Sequence, residues 1–218
     1  MGRPGKPLWQ LPASGALSAS LALTRYLLQH SMNRLITVLA CGLAFGTGLV
    51  ACGSDEPESA APSGAEVREA LAGSPPPLAA VHEQANELLD GGAEAFEERL
   101  GELKGFPVVV NRWAAWCDPC RREMPHLQRQ ALKYGKRVAF LGVDVQDNDG
   151  NARKFLERYP VPYPSYKDPD LKISAEIGGV SGPPTTAFYD SKGELAYLKQ
   201  GVYLSERDLA EDIERYAR

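Results

Sequence analysis

The residues Trp116-Cys117-Asp118-Pro119-Cys120 carry the most specific chemistry in the chain. Two cysteines with two residues between them, where a strand gives way to a helix, make a redox pair. Cys117 falls at the expected helix N-terminus, where unpaired backbone N–H groups and the macrodipole favour a thiolate. Such a thiolate attacks a disulfide and forms a mixed disulfide, and Cys120, one turn later, is close enough to resolve it. Pro119 in the first turn removes an N–H that needs no partner. Asp118 puts a carboxylate between the two sulfurs. It disfavours a thiolate and opposes the helix dipole, so Cys117 is expected to titrate above the cysteines of strong oxidants, which suits a reductant. Asp118 also reads as a solvated loop residue. Arg121 and Arg122 read as exposed helix residues that otherwise favour a thiolate. Trp113 reads as core and Trp116 as a shaper of substrate surface. Two other chemistries share the spacing. Zinc needs four ligands, and the body offers Cys117, Cys120, His82 and His126 in poorly matched segments. A purely structural disulfide closing so small a loop stabilises little.

The elements that must position this pair follow from periodicity. Pro107–Asn111 and Arg137–Val145 are apolar runs read as buried strands. Pro119 to about Tyr134 is the helix between them, with Pro125 expected to kink it. Helices are expected over 79–89, 94–103, 151–159 and 171–177, and a short strand within the proline-broken stretch 161–169. Thr185–Tyr189 and Glu194–Lys199 form a hairpin around Asp190-Ser-Lys-Gly193. Ser205 caps a last helix. The order β-α-β-α-(β)-α-β-β-α predicts an α/β fold, a mixed sheet flanked by helices on both faces. No internal repeat is found.

Composition divides the 218 residues unevenly. Residues 1–51 contain four basic residues and no acidic one; the remaining 20 basic residues face all 28 acidic ones, so the part from residue 52 onward carries −8. An acidic body argues against a nucleic-acid partner. Asn33-Arg34 followed by the apolar run Leu35–Ala51 has the layout of a secretory signal, too short and glycine-rich for a membrane span. Its end, Leu49-Val-Ala-Cys52-Gly-Ser54, resembles the lipobox of bacterial lipoproteins, which implies lipidation of Cys52. The alternative is an uncleaved anchor helix; either way the body is exported. Cys41 is a weaker lipobox, and translation from Met32 is expected. Residues 52–78, rich in Ser, Pro, Ala and Glu, read as a lipid-anchored flexible tether, with a folded domain over 79–218.

The segment Asn111-Arg-Trp-Ala-Ala-Trp-Cys-Asp-Pro-Cys-Arg-Arg-Glu-Met-Pro125 resembles the active-site segment of thioredoxin-like proteins, specifically the membrane-anchored TlpA/ResA/DsbE group. Phe140-Leu-Gly-Val-Asp-Val145, Tyr163–Pro169, Gly182-Pro-Pro-Thr-Thr186 and Asp190–Gly193 extend the likeness over residues 92–217. The resemblance implies a thioredoxin fold with a helix-and-strand insert at about 147–170. It implies that Pro184, followed by Thr185, is a cis-proline opposite the cysteines that presents backbone to substrate and keeps metals off the thiols; from the residues alone, Pro183-Pro184 is equally a trans turn. It implies a lipid-anchored disulfide reductase on the outer face of a bacterial cytoplasmic membrane, with a protein thiol or disulfide client, a membrane electron donor and no cofactor or metal. An apocytochrome c is one such client. Three departures stand out. Asn111 occupies the place of a buried Asp in cytosolic thioredoxins, so the resolving thiol's proton must pass to water or Glu123. Arg112 replaces a usual aromatic and is expected to reach to the edge. Pro183 stiffens the loop. A Sco-like copper chaperone and a thiol peroxidase share the fold; the former uses three intervening residues and a distal His, and the latter does not need the pair. Glu97-Glu98, Asp147-Asn-Asp149 and the C-terminal helix read as solvated acidic faces.

Overall fold

The computed structural model describes residues 61–179 and 181–218; the leader, Cys41, Cys52 and the first third of the expected tether lie outside them. Two strands without an exposed residue organise the rest: β2, Val108–Trp113, and β3, Ala139–Val145. Strands covered on both faces pair in parallel through a crossover helix. Here they run in parallel from Val108 opposite Ala139 to Trp113 opposite Asp144. The crossover is α4, Asp118–Tyr134, which stays continuous across Pro125.

Beyond β3 the sheet continues in parallel through β4, Ser165–Asp168, to the two-residue β1, Leu88–Leu89. On its other side β2 pairs antiparallel with β5, Thr185–Tyr189, and β5 with β6, Leu195–Gln200. The order is β1-β4-β3-β2-β5-β6. A β-α-β unit joined to a β-β-α unit around one central strand is the thioredoxin fold. The hairpin turn is fixed by Asp190, whose carboxylate accepts from the N–H groups of Lys192 and Glu194. The helix α7, Glu206–Tyr216, starts at Ser205, whose hydroxyl accepts from Asp208 N–H. It packs along α4 through Arg129–Glu206 at 2.6 Å and Tyr134–Glu214 at 2.6 Å. On the opposite face α3, Gly92–Glu102, packs with α6, Lys172–Glu176. The expected insert is present as α5, Asp149–Arg158, followed by β4.

Two expectations change. The helix read over 79–89 is α2, Pro76–Glu83: prolines at its first turn need no N–H, so it starts early. It stops before Leu88–Leu89, which pair with Ser165 and Tyr166 instead. Helical spacing alone does not show that a free strand edge is available. The stretch read as tether contains α1, Gly64–Leu71. Ser63 and Glu66 form a reciprocal capping box, and Leu71 is buried against the end of α4 near Gly135. A Ser-x-x-Glu signal overrides a disorder-prone composition here.

Gly142 marks the tightest point of the sheet. A Cβ there would overlap Ser165 Oγ and press on Trp113 Nε1, which donates to that hydroxyl at 3.0 Å. Gly142→Ala is expected to lower stability by about 1–3 kcal/mol without changing the steepness of the urea transition, a typical cost of overpacking. Equilibrium urea unfolding measures both; an unchanged midpoint would contradict this packing.

Candidate active site

The central strand delivers the redox pair. After Trp113 the chain leaves β2, passes the buried Ala114, and turns so that Cys117 N–H donates to Ala114 O at 3.1 Å. Cys117 is the N-cap residue of α4, in extended conformation, and its sulfur accepts from Cys120 N–H at 3.2 Å. The two sulfurs are joined as a disulfide, with Cα atoms 5.3 Å apart. Cys117 retains 3% of its surface and Cys120 none, so the accessible edge of the disulfide is Cys117. The loop after β3 supports this turn from the side. Asp147 accepts from Ala115 N–H at 2.6 Å, and Trp116 donates its indole N–H to Gln146 O at 3.3 Å. Trp116 itself is 55% exposed beside the disulfide. Asp147 thus has a partner in the active-site loop and is not merely solvated.

Asp118 is exposed and ion-paired with Arg121, which also donates to Ala115 O. Its field on Cys117 is therefore offset by a cation and screened by water. Arg121 is half-buried and bonded on both sides of the turn, which differs from the exposed residue expected; Arg122 is exposed.

Pro184 follows Pro183 through a cis peptide bond and is buried. Thr185 lies opposite Arg112, so the next step of the register sets Pro184 beside Trp113, where the loop to Cys117 begins. Thr185 is buried and donates to Gln200 at 3.0 Å. Arg112 does not reach to the edge. It is 2% exposed, and one guanidinium nitrogen serves Gly179 O and Ser181 O, each at 3.1 Å, and Thr185 Oγ1 at 3.4 Å. Burial lowers its pKa and the Asp168 carboxylate opposes this. Gly179 has no Cβ where the guanidinium lies. The chain before Pro184 offers bare carbonyls, and these keep the charge inside.

On the other face of β2, Asn111 donates to Glu123 Oε1 at 2.8 Å and to Thr186 Oγ1 at 3.4 Å. Glu123 is fully buried, and its second oxygen accepts from Tyr203 N–H at 3.0 Å. Burial pushes its pKa up to about 7, against the hydrogen bonds from Tyr203 and Asn111 and the charge of Lys199. It lies three residues after Cys120, on the same buried face of α4. Sequence reasoning missed a second buried acid. Asp144, near the end of β3, has one oxygen without a hydrogen-bond partner among the described residues, and its pKa is pushed up to about 8 by burial, then by Asp147 and Asp149. Its signal was a carboxylate inside an otherwise apolar strand. Among the described residues no group of three or more His, Cys, Asp or Glu is placed to hold a metal ion.

A cysteine pair closed at a helix N-terminus of a thioredoxin fold defines a class, the thiol–disulfide oxidoreductases. The chain belongs to the AhpC/TSA family, whose model matches residues 84–198, and within it to the ResA/DsbE group. It is 32% identical over 136 residues to the thiol-disulfide oxidoreductase ResA of Geobacillus thermodenitrificans, covering 62% of this chain and 77% of that protein. It is 38% identical over 102 residues to the thiol:disulfide interchange protein DsbE of Pseudomonas fluorescens, covering 46% of this chain and 55% of that protein. Among solved structures, a thiol:disulfide interchange protein of DsbE type from Chlorobium tepidum matches with 28% identity and a TM-score of 0.49, over 53% of this chain and 83% of that one.

Glu123 has a consequence for stability. Its folded-state value lies above the unfolded 4.5, so the folded protein keeps a proton that the unfolded chain has released. The stability this contributes is fully present below about pH 4.5 and is lost as pH rises through about 7. From pH 5 to pH 8 the oxidised protein should lose on the order of 2 kcal/mol relative to Glu123→Gln. Urea unfolding of both proteins at each pH measures the difference, and a pH-independent difference would refute it.

Proposed function

We propose that this chain is a membrane-anchored, extracytoplasmic oxidoreductase that reduces disulfides in client proteins. Its nucleophile is Cys117 and its resolving group Cys120. The observation that carries this reading is the seat of the pair. The accessible sulfur caps α4, and the covered one lies one turn inside, three residues before a buried carboxylate on the same helix. Trp116, which is exposed, and Pro183, which is partly exposed ahead of the buried Pro184 and Thr185, offer the rim against which a client strand rests.

In the reduced protein the Cys117 thiolate, favoured by the N–H groups of the first turn, attacks a client disulfide. A Cys117–client bond forms, the client disulfide breaks, and the departing client sulfur takes a proton. Cys120 then gives its proton to the ionised form of Glu123, a base whose pKa near 7 matches the task. The Cys120 thiolate attacks the Cys117 sulfur, closing the internal disulfide and releasing the second client thiol. Two electrons have passed to the client, and a membrane dithiol donor restores the pair.

The reducing direction is supported by two carboxylates near the sulfurs, Asp118 and Glu123, since strong oxidants stabilise their thiolates instead. Asp118 contributes the smaller share because of its pairing with Arg121. Export and anchoring are supported by the signal-like run 35–51 and the lipobox-like Cys52, with the residues from 52 leading to the folded domain from 79. No helix among the described residues is long and apolar enough to cross a membrane. An apocytochrome c client rests on the family resemblance.

The midpoint potential is expected nearer thioredoxin, at about −270 mV, than DsbA, at about −120 mV. A measured value above about −180 mV would refute the reducing direction. Cys117→Ser should abolish reduction of a model protein disulfide, whereas Cys120→Ser should accumulate the mixed disulfide on Cys117. Reduction that persists in Cys117→Ser would remove that residue as the nucleophile. Mass spectrometry of the mature N-terminal peptide tests lipidation at Cys52.

A further inference from the structure

An open groove of about 520 Å³ begins at the residue before Cys117 and runs onto α5. Trp116 forms one end, and the rings of Phe155 and Tyr159 line it. Three cations border it: Arg121, Lys154 and Arg158. The carboxylates of α5, Asp149 and Glu157, do not line it. Lys154 and Arg158 form no ion pair with any described residue, and Arg158 lies 5.7 Å over the Tyr159 ring. Asn151, Lys154 and Arg158 recur at helical spacing, so one face of α5 forms the wall. The whole body carries −8 from residue 52 onward. A run of positive charge beside the reactive sulfur therefore goes against the charge of the rest of the surface.

We propose that this groove is a client subsite that selects an acidic, extended segment next to the client's reacting cysteine. The inference rests on the thiol–disulfide exchange reading above and adds the chemistry of the client. Its occupant is a peptide because the cations are spread along the helix and do not converge on one point. From Asn151 to Arg158 the wall is about 10 Å long, which matches about three extended residues. Carboxylates two residues apart on such a segment face the same side and would meet Lys154 and Arg158 in turn. The aromatic floor accepts the apolar parts of the strand, and Trp116 sets it beside the disulfide. Charge at an open groove acts chiefly on encounter and choice of partner. The effect should therefore appear in kcat/KM and weaken with salt.

The test uses the full chain, reduced and freed of reductant, with three peptides alike except for charge. Each carries one cysteine linked as a disulfide to mercaptoethanol. Glu, Gln or Lys occupies the second and fourth positions on both sides of the cysteine. Loss of the peptide disulfide is followed by chromatography. At low salt the Glu peptide should react roughly three- to tenfold faster than the Gln peptide, the range expected of two or three exposed charge pairs. The ratio should shrink in 0.5 M salt. In the Lys154→Gln, Arg158→Gln variant it should fall towards one, and in the corresponding double Glu variant below one. A ratio near one in the unaltered protein, or one that survives both variants, would overturn the proposal while leaving exchange intact. Loss of the preference on adding inorganic phosphate at constant ionic strength would assign the groove to a small anion and overturn it too. Failure of all three peptides to react would instead overturn the exchange reading on which it rests.

Discussion

Hydrogen bonding on both edges of β2 is the constraint from which the rest of the site follows. β3 lies in register on one side, and its continuation past Asp144 supplies Gln146 and Asp147 to the turn that holds Cys117. β5 lies in register on the other side, and the residue before its first, Pro184, arrives beside that same turn. Because side chains alternate across a strand, three successive residues of β2 do three separate jobs. Asn111 bonds a carboxylate on the α4 face. Arg112 binds the carbonyls that precede Pro184 on the opposite face. Trp113 stacks on Phe155 of α5 at 4.6 Å between ring centroids and bonds Ser165 of β4. A slip of one residue would exchange all three assignments.

Such a strand end is costly in polar groups. Glu123, Asp144 and Arg112 are all buried, and desolvation is the first cause of the shift in each pKa. Groups of this kind are retained where chemistry uses them more often than where only stability does. Their surroundings differ in a telling way. Glu123 accepts from Tyr203 and Asn111, so its ionised form has two donors ready. Asp144 has an unpartnered oxygen and two acidic neighbours, so its ionised form is opposed. The first arrangement allows a proton to be taken up and released near neutrality. The second holds one near the loop that carries Trp116.

Around this geometry the insert adds a second surface. α5 contributes an apolar side to the sheet through Phe155 and a cationic side to the groove through Lys154 and Arg158. One helix thereby links the packing of Trp113, just before the active-site loop, to the charge that a client would meet. The same helix also carries Asp149, paired with Lys167 at 2.6 Å away from the groove.

Much of this was legible in the sequence. The Cys-x-x-Cys spacing, the buried runs of β2 and β3, the hairpin and the Ser205 cap are local patterns, and local patterns survive folding. Other features depended on contacts distant in the chain. Leu88–Leu89 form a strand because β4 offers a free edge, and α1 folds because Leu71 finds the end of α4. Arg112 stays inside because carbonyls 67 and 69 residues away happen to converge on it. Composition and spacing by themselves determined the redox chemistry, the order of the elements from β2 onward and the sign of the body's charge. Only the tertiary structure decided which carboxylates are buried, which cations remain unpaired and which sulfur is reachable. Those properties arise from the partners that residues far apart in the chain bring to one another.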